Sequence, residues 1–468
     1  MTIAALGLSA FVATRASILG IGVAFLVPAL LYRRLYGASP RFRRVLVALA
    51  LALAAGGLAI SVSPLWQRLI ATAEGTGTRE RVLVWEAAMQ AFADQPLLGY
   101  GVDNFVVVWP RYMQAEFPRL GPRFDNDSAH SWLLQAAATT GLVGLAALLA
   151  LQLGSLRALA VRGLAASPLI SSLLLLASIS YWAHGIVSVG TVAVDWVPWV
   201  ASGGAAAIAG GRPAVVAARR GLHPLLAAAI FAVAAGGAAT GAPSWIANQE
   251  ALATRHAADN GQGPEAVAHG RRSVELDGGR GEYWNELGRG YFAARQWLDA
   301  ADAFRAAQER APYEATFISN RALALTRLAL AGDQSQGGTS AAIRTAEEAT
   351  IVDPNNPEPK VALAEVAAAL GDADTALRAI AAGSRLNTDV RYARLAIAVA
   401  SSATDLASAR RTLEELVTVN ETAGLRISVA QVALRQGDRG AALVNAKRAL
   451  ELEPGNTTAQ AILSSLGS

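Results

Sequence analysis

Six apolar runs decide what this chain can fold into: Ala16–Tyr32, Val45–Ser63, Ser131–Leu153, Pro168–Val187, Ala193–Gly210 and Leu222–Ala242. Each approaches the ~20 residues that cross a bilayer as a helix. In hydrocarbon a helix satisfies its own backbone groups, so six spanning helices is the economical expectation. All six lie before residue 247, after which the sequence becomes alternating acidic, basic and alanine-rich helix. The 468 residues are therefore expected to be all-α: a polytopic transmembrane helical domain, residues 1–246, followed by a second domain, residues 247–468.

Charge orients the first domain. The net charge of +4 sums unlike parts: residues 1–246 carry 17 Arg against nine acids, and residues 247–468 carry 23 Arg or Lys against 27 acids. Arg33, Arg34, Arg41, Arg43 and Arg44 fill one link, Arg157 and Arg162 a second, and Arg212, Arg219 and Arg220 a third, none with an acid. These links are cytoplasmic by the positive-inside rule. Eight of the nine acids fall in the loop of residues 64–130, which is then extracytoplasmic. Positive charge spread over three short links is topogenic, which excludes a nucleic-acid partner. The last span runs outward from Arg219 and Arg220, so the second domain is expected outside the cytoplasm too. Thr2–Ala13 is apolar, too short to span and without a signal peptide's layout, so the chain is expected to begin inside a longer membrane protein. The absence of cysteine rules out disulfides, Cys-ligated zinc and a thiol nucleophile.

In the second domain Trp284, Leu287, Gly288, Tyr291, Ala300, Phe304, Ala307 and Pro312 fit the tetratricopeptide pattern position by position. The small residues let two antiparallel helices approach, the aromatics fill the gap, and the proline closes the unit. The ~34-residue period extends both ways, with an insertion around Gly332–Thr339. Five or six repeats forming a tetratricopeptide-repeat α-solenoid are expected, and a solenoid of this kind binds a protein or peptide partner.

Chemistry is expected in the loop of residues 64–130. Arg79–Phe92 reads as an amphipathic helix with Val82, Trp85, Met89 and Phe92 on its apolar face. Pro96-Leu97-Leu98-Gly99-Tyr100-Gly101 then breaks it, and the loop ends in Asn126-Asp127-Ser128-Ala129-His130-Ser131. Arg15 lies between apolar segments, where a charge is costly and usually has a partner. No phosphate-cradling glycine loop or metal-spaced acidic pair is present, so neither a cofactor nor a metal is expected.

Three segments resemble the O-antigen ligase and polymerase family of membrane glycosyltransferases. They are Thr14-Arg15-Ala16-Ser17; Arg81 and Trp85 followed by Pro96-Leu97-Leu98-Gly99, Gly101, Asn104 and Phe105; and Ala129-His130-Ser131 with Leu133, Gly141, Leu142 and Gly144 downstream. The resemblance covers about residues 13–150 and implies transfer of a glycan from a polyprenyl-pyrophosphate carrier to a hydroxyl of a lipid or protein acceptor. It places the chain in the bacterial inner (plasma) membrane as a multi-pass protein, with tetratricopeptide tails known in the family. It implies His130 as the base, whose pKa of ~6.5 leaves neutral imidazole at neutral pH. Arg81, Arg15 and Arg79 would bind the pyrophosphate through their forked donors. His184 and Asp195, flanking an outward turn, rank second. A competing expectation is a non-enzymatic, membrane-anchored repeat scaffold for cell-envelope assembly.

Overall fold

The computed structural model describes residues 76–102, 104–120, 126–186, 188, 195–209 and 224–467. The expected spans Ala16–Tyr32 and Val45–Ser63, with Arg15, lie outside them. The described residues are helical, without strands. The chain divides into two compact units, Met1–Gln114 with Asp125–Phe231, and Ala115–Phe124 with Ala232–Ser468.

The first unit contains α1 (Thr76–Asp94), α2 (Phe105–Tyr112), α3 (Trp132–Ala158), α4 (Pro168–Gly185) and α5 (Val197–Ala209). Among the described residues one helix is long and apolar enough to cross a membrane, Trp132–Ala166. It joins α3 to a π-helical turn, Leu159–Gly163, and a last turn, Leu164–Ala166. The helix therefore runs past Leu153, carries exposed Arg157 and Arg162, and stops at Ser167, where Pro168 opens α4 with no N–H to waste. Val197–Ile208 is a shorter apolar helix.

The apolar face expected for α1 is corrected. Leu83, Val84, Ala87, Ala88 and Ala91 are the buried residues, whereas Met89 is 52% exposed and Val82, Trp85 and Phe92 are half-buried. Small alanines permit a close approach that the larger side chains would block, so the narrow face wins the packing.

The feature that shapes this unit is a break inside α3. Gly141 has φ 63° and ψ −165°, a backbone conformation open to glycine. A Cβ there would sit 2.4 Å from the Leu97 carbonyl carbon, so no larger residue fits. Trp182 shows how far the helix turns. Its ring centroid lies 4.3 Å from that of Trp132, and its Nε1 donates to Gln152 Oε1 at 3.3 Å. A straight helix would hold Trp132 and Gln152 about 30 Å apart, more than one tryptophan bridges. The two arms of α3 are folded toward each other at Gly141. The backbone groups freed by the break are taken by the loop after α1. Tyr100 and Gly101 N–H donate to the carbonyls of Ala138 (3.0 Å) and Thr139 (2.8 Å), while Leu142 and Val143 N–H donate to those of Pro96 (2.8 Å) and Leu97 (3.2 Å).

The 36-residue helix α6 (Pro224–Asp259) holds the C-terminal part of the last expected span and continues past it. In the second unit its C-terminal part pairs with α7 (Gly263–Leu276). There follow α8 (Gly281–Ala293) with α9 (Trp297–Arg310), α10 (Ala315–Leu330) with α11 (Gly338–Val352), and α12 (Pro357–Ala369) with α13 (Ala373–Ser384). The array ends with α14 (Val390–Val399) and α15 (Leu406–Val419), α16 (Ala423–Arg435) and α17 (Arg439–Leu452), and the single helix α18 (Thr457–Leu466). From α7 onward each helix packs on the next along the chain. Gly288 lets the Phe304 ring come within 2.6 Å of where a Cβ would stand, and Leu287, Ala300, Phe304 and Ala307 are buried beside it. Trp284 donates through Nε1 to the Gly278 carbonyl (2.9 Å) and lies under the Arg310 guanidinium, 4.6 Å away. Asp372, Asp405 and Asp438, one repeat apart, each accept a backbone N–H in the first turn of the helix that follows, which satisfies an otherwise unpaired donor.

Candidate functional site

His130 stands at the end of the loop, directly before α3. Its backbone is left-handed (φ 49°), a conformation uncommon outside glycine that costs energy and concentrates at functional positions. The turn is held on both sides. Ser128 Oγ accepts the His130 N–H (3.2 Å), and Gln135 Oε1, one turn into α3, accepts the Ala129 N–H (2.8 Å). Ala129 and Ser131 are buried, so the half-buried imidazole cannot swing freely with its backbone.

The electrostatics of His130 involve two residues of the loop. Burial lowers the imidazole pKa first, the positive charge of Arg81 lowers it further, and Asp127 opposes both. The ring is therefore neutral at pH 7 and able to accept a proton, with a guanidinium acting on the same locality. Arg81 projects exposed from α1. Arg79, two residues earlier, is engaged with Glu86 at 4.0 Å, and Glu86 also accepts from Gln114 Nε2 (2.6 Å).

The second-rank residues sit around α4. His184 is half-buried on its last turn, beside Trp182 and Gly185, and a Cβ on Gly185 would press into the Trp132 ring at 2.8 Å. Asp195 is taken by Tyr181, whose hydroxyl donates to it at 2.8 Å. Tyr181, Trp182 and Trp132 form an edge-to-face aromatic cluster, with centroids 5.0 and 4.3 Å apart in turn. Arg15 lies outside the described residues. Among them, no group of His, Asp and Glu is placed to hold a metal ion.

A polar cluster that the sequence did not announce joins α1 to α2. The hydroxyls of Tyr100 and Tyr112 both donate to Asp94 Oδ2 at 2.7 Å and lie 2.6 Å from one another. Arg111 approaches the same oxygen at 3.3 Å and covers the Tyr112 ring at 5.5 Å. Hydrogen bonds from Tyr112 and Tyr100 hold the Asp94 carboxyl below its usual range. The Gly99-Tyr100-Gly101 spacing marked the turn; only the folded loop brings Asp94 and Tyr112 to it.

The second unit has its own concavity, a cavity of about 630 Å³. Arg119, Glu358, Arg385, Asn387 and Arg391 are among its walls. Arg119 Nη2 donates to the Arg385 carbonyl at 2.7 Å, and Arg391 bridges Glu358 and Asp389. Asn387 Oδ1 is buried without a hydrogen-bond partner.

Residues 1–149 match the model of the O-antigen ligase family. No curated protein matches the chain. The C-terminal part is similar to solved tetratricopeptide proteins. One is from Thermus thermophilus (16% identity, 47% of this chain and 98% of that one, TM-score 0.27). Another is PilF of Pseudomonas aeruginosa (16% identity, 48% and 99%, TM-score 0.33). A third is a tetratricopeptide repeat protein from Parabacteroides merdae (13% identity, 48% and 100%, TM-score 0.29).

Proposed function

We propose that the first unit is a glycosyltransferase that moves a glycan from a polyprenyl-pyrophosphate carrier to an acceptor hydroxyl on the extracytoplasmic face of a bacterial inner membrane. The match of residues 1–149 to the O-antigen ligase family supports the reaction class. The observation that carries the assignment of roles is the half-buried His130 held in a left-handed turn directly before α3, with the positive charge of Arg81 acting to keep its imidazole neutral.

In this reading His130 accepts the proton of the acceptor hydroxyl. The freed oxygen bonds to the anomeric carbon, the bond from that carbon to the pyrophosphate oxygen breaks, and the pyrophosphate leaves with the electron pair. Arg81 neutralises charge on the leaving group through its planar fork of donors, with Arg15 as a second ligand. Arg79 is the weakest of the three, because Glu86 already engages it. Asp195 positions the aromatic cluster through Tyr181, and His184 lines the same end of α4. No cofactor takes part, since a pyrophosphate is already a competent leaving group. The six apolar runs form a multi-pass domain with the loop of residues 64–130 outside, and the repeat array recruits a protein or peptide partner there. Its cavity beside Arg119 and Asn387 suits an extended polar segment.

The test replaces the wild-type copy in cells with His130→Ala. Glycan transfer is expected to fall at least ~100-fold, the scale of losing a general base, with protein level and membrane fraction unchanged. Unaltered transfer would instead favour the anchored, non-enzymatic scaffold.

A further inference from the structure

The loop Pro96–Val102 ends in large apolar side chains that nothing among the described residues covers. Leu98 is 73% exposed, Val102 80% and Leu97 65%, and Leu142 and Val143 just past the Gly141 break are also more than half exposed. Five such residues at one apex form a patch that a water-facing loop has no use for. The patch adjoins the membrane-length helix, on which Leu151 and Leu153, on different sides, are also exposed.

Two further observations bear on what covers it. The first is the satisfaction of the backbone. An irregular loop enters hydrocarbon only when its N–H and C=O groups are bonded internally. Here the carbonyls of Pro96 and Leu97 accept from Leu142 and Val143, and the N–H groups of Tyr100 and Gly101 donate to Ala138 and Thr139. The Gly99 N–H donates to Gln95, the Gly101 carbonyl accepts from Asn104, and the Tyr100 carbonyl takes the Asn104 amide at 3.0 Å. The second is length. From Leu142 to exposed Arg157 the helix rises roughly 22 Å at 1.5 Å per residue, short of the ~30 Å hydrocarbon core. With Arg157 at the inner boundary the Gly141 apex falls inside the outer one, and with Arg162 there it lies at that boundary, so the loop meets the outer leaflet in either register.

We infer that Pro96–Val102 is a membrane-dipping loop, seated in the outer leaflet with Leu97, Leu98 and Val102 against lipid acyl chains. It anchors the end of α1, and with it Arg81 and the Asp94 cluster, at a fixed height above the bilayer. The inference holds whether or not the chain is an enzyme. It rests on the placement of the helix after Gly141 in the membrane.

The natural chain has no cysteine, so one introduced thiol labels uniquely. The experiment attaches a nitroxide to Leu98→Cys in the full chain in phosphatidylcholine–phosphatidylglycerol nanodiscs, with Val102→Cys in reserve should Leu98→Cys fold poorly. Collision with oxygen, which concentrates in lipid, is compared with collision with a neutral water-soluble nickel complex. Leu151→Cys on the helix sets the lipid value; Ile351→Cys, an apolar residue 77% exposed on the repeat array, sets the water value. The expected result is an oxygen-to-nickel ratio for Leu98→Cys within twofold of Leu151→Cys and at least fivefold above Ile351→Cys. A ratio matching Ile351→Cys overturns the inference, as does protection from both reagents, which would mean a protein cover. If Leu151→Cys itself reads as water, the membrane placement of α3 fails and the inference falls with it, leaving the role of His130 to its own test.

Discussion

The repeat array and the first unit both need helices to come closer than ordinary side chains allow, and they achieve it differently. The array repeats one solution: a small residue facing an aromatic, as at Gly288 and Phe304, or at Gly383, where a Cβ would meet the Tyr392 ring at 2.4 Å. Asp caps recur one repeat apart. The described part of the first unit relies on four backbone hydrogen bonds at one helix break, uses the glycine–aromatic approach at Gly185 and Trp132, and has no side-chain N-cap bond on α2, α3 or α4. Redundancy spreads risk over the array. The first unit concentrates it at Gly99 and Gly141.

The largest effect that separates the two regions is expected at that break. Gly141→Ala forces a Cβ into the Leu97 backbone at a positive φ, and should cost about 3 kcal/mol or more. Gly154→Ala, on the same helix with nothing within 4 Å of the new carbon, should gain about 0.5–1 kcal/mol. Thermal unfolding of the full chain in nanodiscs checks the pair, and equal midpoints would show that the stitched loop does not hold the unit. Next comes Phe304→Ala, expected to cost about 3 kcal/mol through the lost burial and the cavity left against Gly288. Neighbouring repeats should keep their helicity, because each is stabilised chiefly by its own interfaces. Amide hydrogen exchange reads this directly: loss of protection throughout the array would contradict local packing.

These two regions also differ in how far they could be read from sequence. Trp284, Gly288, Phe304 and Pro312 gave the repeat away because the same contact recurs at a fixed spacing, and a periodic pattern averages over its imperfect copies. The membrane-length helix was legible from hydropathy. Its break was not, since Gly141 resembles the other glycines of an apolar run until Leu97 is known to lie against it. The face of α1 was misjudged for a related reason: hydrophobicity favoured Met89 and Phe92, whereas packing selected the alanines. His130 and Arg81, some fifty residues apart in sequence, were nominated by resemblance to a family; their mutual influence emerges from the fold.

A smaller effect sharpens the comparison by pH. Asp353, buried at the end of α11, has its pKa pushed up to about 6 by burial, against the pull of Asn356 and Lys360. Because the folded value exceeds the unfolded 3.8, protonation favours the folded array. That contribution is full below pH 3.8 and is lost as pH rises through about 6. Asp353→Asn should therefore raise the array's stability by about 1–3 kcal/mol at pH 8 and by little at pH 4, leaving the first unit unmoved. A pH-independent change in the unfolding midpoint would rule this out.

The central claim, that His130 serves as the base under the influence of Arg81, is tested most directly by the pH dependence of kcat for glycan transfer by the full chain in nanodiscs. The base must be neutral, so the rate should fall as pH drops through a value below 6.5, where burial and the Arg81 charge have moved the imidazole. In Arg81→Gln the overall rate drops and the acid limb moves to higher pH, because the charge that lowered the pKa is gone. An acid limb that stays where it was in Arg81→Gln, or a profile flat from pH 5 to 8 in the natural chain, would contradict the account.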